Sequence, residues 1–282
     1  MAASGEQYTV RSVARALGVL EELASAPKEG RSVTEIAEAS GLSKSATFAV
    51  LQTMISANFV ADSGTGQNRR YHLGMALARL GDLAREQVSV RDVARPVIQE
   101  LAIELHGSVR LGVLDGDHVS MVDRVDSPDG LRIDLRMGNE ELLHSTAVGK
   151  AILASLEDSQ VEAILGDQPL TRHTPHTLVT PSAVLKDLRL IRKRGYSIDD
   201  EEDFEGVLCI GAAIHDSVGG PVAAISVTTL KARTTPKRIA QVGAALSAGA
   251  RRISARLGHV VDETPEGTAV SAKAARGRKA AR

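Results

Sequence analysis

Apolar residues recur at helical spacing through Val13, Leu17, Leu20 and Leu23, predicting an amphipathic helix over residues 12–24. Pro27 to Gly30 breaks that pattern. Ser32 and Glu35 then stand at the S-x-x-E spacing in which each side chain satisfies a free backbone N–H of the other. They open a short helix through Ile36, Ala37 and Ala39, ended by Gly41. Leu42 is placed to enter a core, and Ser43 caps a further helix carrying Val50, Leu51, Met54 and Ile55. Two short helices around a tight glycine turn are the heart of a helix-turn-helix.

The pattern then changes period. Residues 59–61 and 71–73 are strand-like, and the Gly-, Ser-, Asn- and Arg-rich stretch 62–70 between them predicts a hairpin with a polar, basic tip. Helix, helix-turn-helix and hairpin, in that order, make a winged helix. A connecting helix follows over 74–87, with Met75, Leu77, Leu80 and Leu83.

Past Val90 a helix carrying Val93, Val97, Leu101 and Leu105 leads to strands at 109–114 and 119–125, joined through Asp115-Gly116-Asp117. Further strands are predicted at 131–137, 208–214 and 222–230, and helices at 148–155, 159–165, 182–194 and 236–257. Strands and helices without strict alternation indicate an α+β fold rather than a doubly wound sheet. After Leu257 the apolar pattern ends, and 259–282 reads as a disordered basic tail. The expected organisation is a winged helix-turn-helix over 8–73, a linker helix over 74–89 and a sensor domain over 90–258.

Composition narrows the class. The chain has 282 residues, 43% hydrophobic, enough for two cores, but only 2% aromatic and no tryptophan, so Leu, Ile, Val and Ala must fill them. No apolar run is long enough to span a bilayer, and Met1 to Gln7 carries no signal-peptide pattern, so a cytoplasmic protein is expected. The single cysteine, Cys209, excludes an internal disulfide and a thiolate zinc cluster. A net charge of −1 does not mark a nucleic-acid binder, so DNA binding has to be argued from local arrangement.

The chain resembles the IclR family of bacterial regulators over nearly all of Tyr8 to Gly258. The resemblance rests on Val10-Arg11-Ser12-Val13-Ala14-Arg15-Ala16-Leu17, on Leu42-Ser43-Lys44-Ser45-Ala46-Thr47 and on Leu51-Gln52-Thr53-Met54. It continues through Val93-Ala94-Arg95-Pro96, residues 144–151 (HSTAVGKA), residues 194–202 (RGYSIDDEE) and Gly206-Val207-Leu208-Cys209-Ile210. Each segment is short; their common order across two domains carries the match. The resemblance implies a winged-helix repressor or activator with a GAF-like effector-binding domain, forming a dimer or a dimer of dimers.

A helix-turn-helix presents the start of its second helix to the major groove. Here that start offers Ser43, Lys44, Ser45, Thr47 and Phe48. Lys44, Ser45 and the helix terminus suit phosphate, Thr47 or Gln52 a base edge, and Phe48 a thymine methyl. Arg69 and Arg70 in the wing suit the backbone or minor groove, and Arg11 joins this set from the opening match. The family commonly has a His-Arg pair where this chain has Phe48-Ala49, so the operator sequence does not carry over. From the pattern alone, a protein-binding winged helix stays open. The basic tail is read first as solubilising, with auxiliary minor-groove contact as the alternative.

For the effector, the resemblance implies a site at the start of the helix that follows His144, where Ala147, Val148 and Gly149 would offer backbone N–H groups to a carboxylate. It would lie against Asp199, Cys209, Ser226 and Thr228, with apolar walls from Ile133, Met137 and Val207. Ser226 and Thr228 share one strand face at i, i+2, as do Cys209 and Gly211. Each residue also has a plain reading: Cys209 as a small buried hydrophobe, Asp199 in a solvated acidic loop, Ser226 and Thr228 as ordinary strand residues. The expected effector is a small organic acid, with an aromatic one as an option.

No catalytic residue, cofactor or metal is called for. An enzyme built on Cys209 with a histidine and Asp199 is conceivable, but the cysteine falls mid-strand rather than at a helix start that would lower its pKa. His173 and His176 have a metal-compatible spacing with no further ligands in pattern. A ligand-sensing dimerisation module without DNA contact is the other alternative. Regulation would then follow from two winged helices held at groove spacing by a ligand-dependent pair of sensor domains.

Overall fold

In a computed structural model the described residues are 9–129 and 140–260, and they fall into two compact units that divide between Val88 and Ser89. The expected strand over 131–137, the tail 259–282 beyond Val260, and the effector residues Ile133 and Met137 lie outside the described residues.

The first unit is a winged helix. Its elements are α1 (Arg11–Ala24), α2 (Val33–Ser40), α3 (Lys44–Ser56), β1 (Val60–Ser63), β2 (Arg70–Leu73) and α4 (Met75–Gln87). Ser32 and Glu35 form the reciprocal capping box at the start of α2. Gly41 ends that helix at φ 66, a left-handed conformation that costs a glycine little. Ser43 caps α3 by accepting the Ala46 N–H. Such a cap contributes about 1 kcal/mol. Strands β1 and β2 pair antiparallel, and a 3-10 turn at Gly66–Asn68 forms the wing tip. Val19, Leu23, Ile36, Leu51, Met54, Val60 and Tyr71 make the core.

The second unit is built on six antiparallel strands in the order β5-β4-β3-β8-β7-β6. These are β3 (Ser108–Asp115), β4 (His118–Val125), β5 (Glu140–Leu142), β6 (Ser197–Asp200), β7 (Val207–His215) and β8 (Pro221–Leu230). The alternation of the strands assigns their two faces. Val109, Leu111, Leu208, Ile210, Ile225 and Val227 pack against α5 (Val90–Leu105) and α9 (Pro236–Arg256). Val119, Met121 and Ala224 belong to the opposite layer, with α6 (Ala147–Ala154), α7 (Asp158–Leu165) and α8 (Pro181–Arg194). An antiparallel sheet packed by helices is the expected α+β fold.

Strand β6 had no apolar signature in the sequence. Its Asp199 is buried rather than part of a solvated loop, because the strand pairs with β7, Asp199 opposite Cys209, and forms an inner edge against α6.

Candidate functional site

Helix α3 turns Thr47, Leu51 and Met54 inward at i, i+4 and i+7. Thr47 is 0% exposed, which corrects the expectation that it reads a base edge: its hydroxyl is enclosed in the unit's own core, without a hydrogen-bond partner. Gln52 is half-buried, with its amide nitrogen enclosed. The outward face is Ser43, Lys44, Ser45, Phe48, Ala49 and Thr53. Phe48 is 45% exposed, a large apolar ring held at the surface of a helix whose neighbours are small and polar. Thr53 faces outward without any sequence signal of its own beyond the family segment it belongs to.

Both wing arginines are held by carboxylates. Arg69 Nε donates to Asp62 Oδ2 at 2.7 Å, and its guanidinium lies 5.5 Å from the Tyr71 ring centroid. Arg70 Nη1 donates to Glu35 Oε2 at 2.5 Å, the same oxygen that takes the Ser32 N–H and hydroxyl. The Ser32 hydrogen bonds, followed by Arg70, hold the Glu35 carboxyl below its ordinary range. The wing thus docks on the capping box of α2, and the α2 terminus, Phe48 and the wing border one groove. Arg11 is exposed at the first residue of α1.

In the second unit a small cavity of about 10 Å³ gathers Arg110, Thr146, Asp199, Cys209 and Ser226 with the start of α6 at Ala147 and Val148. Asp199 Oδ1 accepts the N–H of Glu202 at 2.8 Å and of Asp203 at 3.3 Å. Burial, reinforced by Glu202, pushes the Asp199 carboxyl up to about 7, against the pull of Lys150. Cys209 donates its thiol to Thr228 Oγ1 at 3.5 Å, and burial pushes that thiol well above its usual range. A thiol in that state is not a nucleophile near neutral pH, so the cysteine-enzyme alternative gains no support.

Gly149 does not contribute as expected. Its N–H donates to Thr146 Oγ1 at 3.1 Å, and an added Cβ would lie 2.5 Å from the Leu142 carbonyl oxygen. Its role is close packing of α6 against the segment before it. Gly211 does the same from the strand side, where a Cβ would meet the Ala147 carbonyl at 2.7 Å. Val207 lies on the Cys209 face of β7 but does not border the cavity.

Sequence reasoning missed Arg110 and Glu141. Arg110 is buried, with Nη2 2.6 Å from Glu141 Oε1 but not in hydrogen-bonding alignment, and with Nε lacking a partner. Burial raises the Glu141 pKa, while Arg110 opposes that shift. A charged residue inside the apolar run Val109 to Leu111 was the available signal. Behind the cavity, the buried Lys150 ammonium meets Glu202, and Asp187 at 2.9 Å.

His173 Nδ1 donates to Asp203 Oδ1 at 2.6 Å, and among the described residues no cluster of His, Cys, Asp and Glu is placed to hold a metal ion. Among the described residues no helix is long and apolar enough to cross a membrane.

The IclR helix-turn-helix domain model matches residues 12–63, and the model of the bacterial transcriptional regulator IclR C-terminal domain matches 83–255. The regulator KdgR of Dickeya chrysanthemi is 33% identical over 89% of this chain and 81% of its own length. The repressor IclR of Escherichia coli is 32% identical over 88% and 90% respectively. Among solved structures, the Agobacterium tumefaciens repressor BlcR superposes with a TM-score of 0.71 at 26% identity, covering 90% of this chain and 99% of that one. Two matched domains in the family order, on a winged helix with an outward α3 and a sensor unit with a buried polar cavity, make this chain a DNA-binding transcriptional regulator of the IclR family.

Proposed function

We propose that this regulator's operator binding is controlled by a small carboxylic acid bearing hydroxyl or keto groups, bound around Arg110, Asp199, Cys209 and Ser226. The observation that carries this reading is the buried Arg110 Nε without a partner beside a cavity lined by Asp199 and Ser226. A buried guanidinium nitrogen without an acceptor is costly, and a carboxylate satisfies it with a charge-assisted hydrogen bond. Asp199, protonated below its pKa of about 7, can donate to a ligand oxygen, and Ser226 can do the same. The hydroxyl and carboxyl groups of this lining suit a hydroxyl- or keto-bearing acid, whose carbon skeleton would rest on Ala147, Val148 and Phe204. Ala147 and Val148 border the same space, and Thr228 supports it through Cys209.

A cavity of about 10 Å³ holds about one water. An effector therefore selects a more open arrangement of the sensor unit, which is how ligand binding shifts the population of DNA-competent forms. In this reading residues 8–73 grip DNA through Lys44, Ser45, Phe48 and the wing arginines, 74–89 connect, and 90–258 sense. The protein acts in the cytoplasm as a homodimer or dimer of dimers, because two recognition helices must reach successive major grooves.

Calorimetric titration with small hydroxy and keto acids and their amides tests the anchor. The acids are expected to bind at least about tenfold more tightly than the amides, the value of one charge-assisted hydrogen bond. Equal binding of acid and amide contradicts it.

A further inference from the structure

We infer that the sensor unit carries a second binding site, for a small apolar carboxylate, on the face of the sheet opposite the Asp199 cavity. Along β8, Ser226 lines the Asp199 cavity while Val227 packs in the α5 and α9 layer. At the end of that layer, the last turn of α5, the 3-10 turn Lys231–Arg233 and the first turns of α9 enclose a cavity of about 170 Å³. Its apolar wall comes from Leu105, Ile210, Val227 and Val242 and its basic side from Arg233 and Arg238, with serine and threonine residues between them.

Among the described residues that line the cavity none is acidic, and the carboxylate of Asp129 lies 3.1 Å from the ring of His106 on its rim. Arg238 Nη2 donates to the Leu105 carbonyl, so this guanidinium closes the end of α5 and still has donors left over. Arg233 is exposed, and among the described residues it meets no carboxylate. Two guanidiniums over an apolar wall match a carboxylate whose remaining surface is hydrocarbon. The size fits as well, since an apolar cavity of about 150 Å³ accommodates a benzene ring.

The chemistry differs from that of the Asp199 cavity, whose lining includes the carboxyl groups of Glu141, Asp199 and Asp203. The two sites nevertheless share Thr228, which lines the second cavity and accepts the Cys209 thiol of the first. Occupancy of one is therefore placed to change affinity at the other, by the same factor in both directions.

Benzoate is the probe, titrated by calorimetry into the full chain, with benzamide as the uncharged match. The variants are Arg233→Ala at the basic rim and Ser226→Ala in the other cavity; thermal melts establish that both are folded. Benzoate is expected to bind the wild type, and about tenfold more weakly to Arg233→Ala, as the loss of one charge-assisted contact implies. Benzamide should bind the wild type about tenfold more weakly than benzoate does, and Ser226→Ala should bind benzoate like the wild type. The proposal is overturned if benzoate does not bind, if benzamide binds equally, or if Arg233→Ala is unaffected. It is also overturned if Ser226→Ala loses as much as Arg233→Ala, which would place the ring in the Asp199 cavity. Failure here leaves the hydroxy-acid titrations standing, because they report on Arg110 and Ser226 instead.

Discussion

Lys150 Nζ lies 2.9 Å from Asp187 Oδ2, on a lysine side chain with no solvent exposure. Glu202 closes the other side of the ammonium, and the Glu202 N–H binds Asp199, so one buried cation ties α6 and α8 to the turn that follows β6 and bonds back to Asp199. Taking such charges out of water is expensive, and removing one partner exposes that cost.

Lys150→Met is therefore expected to destabilise the sensor unit by about 3 kcal/mol, the usual cost of stranding a buried carboxylate. Adding Glu202→Gln to it should recover part of the loss. Chemical denaturation followed through the sensor unit's transition measures both. A Lys150→Met protein as stable as the wild type would remove the cluster from the account.

The Asp199 carboxyl gives stability a pH dependence of defined sign. Its folded pKa of about 7 stands above the ordinary 3.8, so between those values the folded state holds a proton that the unfolded state has released. Stability from this group is full below about pH 4, falls as pH rises towards 7, and is flat above. Burial raises Glu202 and Glu141 in the same direction, while His144 and His215 are lowered by burial and act oppositely. The difference between wild type and Asp199→Asn isolates one group. Asparagine keeps the acceptor for the Glu202 and Asp203 N–H groups, so the variant should gain relative stability as pH rises from 4 to 7. Parallel pH profiles would contradict the assignment.

Thr47 carries a hydroxyl buried without a partner. Thr47→Val replaces it with a methyl of similar size, and removing an unsatisfied buried polar group stabilises by up to about 1 kcal/mol. Operator affinity should not change, whereas Lys44→Ala should weaken it. Thermal melts and fluorescence anisotropy read the two effects. A Thr47→Val protein that loses sequence discrimination would return Thr47 to the DNA surface.

That residue also shows where sequence reading ran out. The winged helix was legible because its punctuation is local: Ser32 with Glu35, Gly41 and Ser43 fix three helix ends through bonds spanning three or four residues. The inward face of α3 was not, since Thr47 looks polar and only packing makes it core. In the sensor unit, alternation placed Cys209, Ser226 and Thr228 on their strand faces correctly. Arg110 and Glu141 stayed hidden, because their meeting depends on β3, β4 and β5 pairing side by side. Strand β6 was hidden too: its buried residues are Ser197 and Asp199 rather than apolar ones. The Gly149 N–H looked available until Thr146 was found to use it.

If the exposed side of α3 docks on duplex DNA, binding must depend steeply on salt. Fluorescence anisotropy of the full chain on its own upstream DNA would give log K against log salt for wild type and Lys44→Ala. A steep negative slope is expected, because each phosphate contact releases counterions, with the slope shallower by about 1 in the variant. Wild-type protein that fails to bind this DNA at any salt concentration, or binds with a slope that Lys44→Ala leaves unchanged, would contradict it.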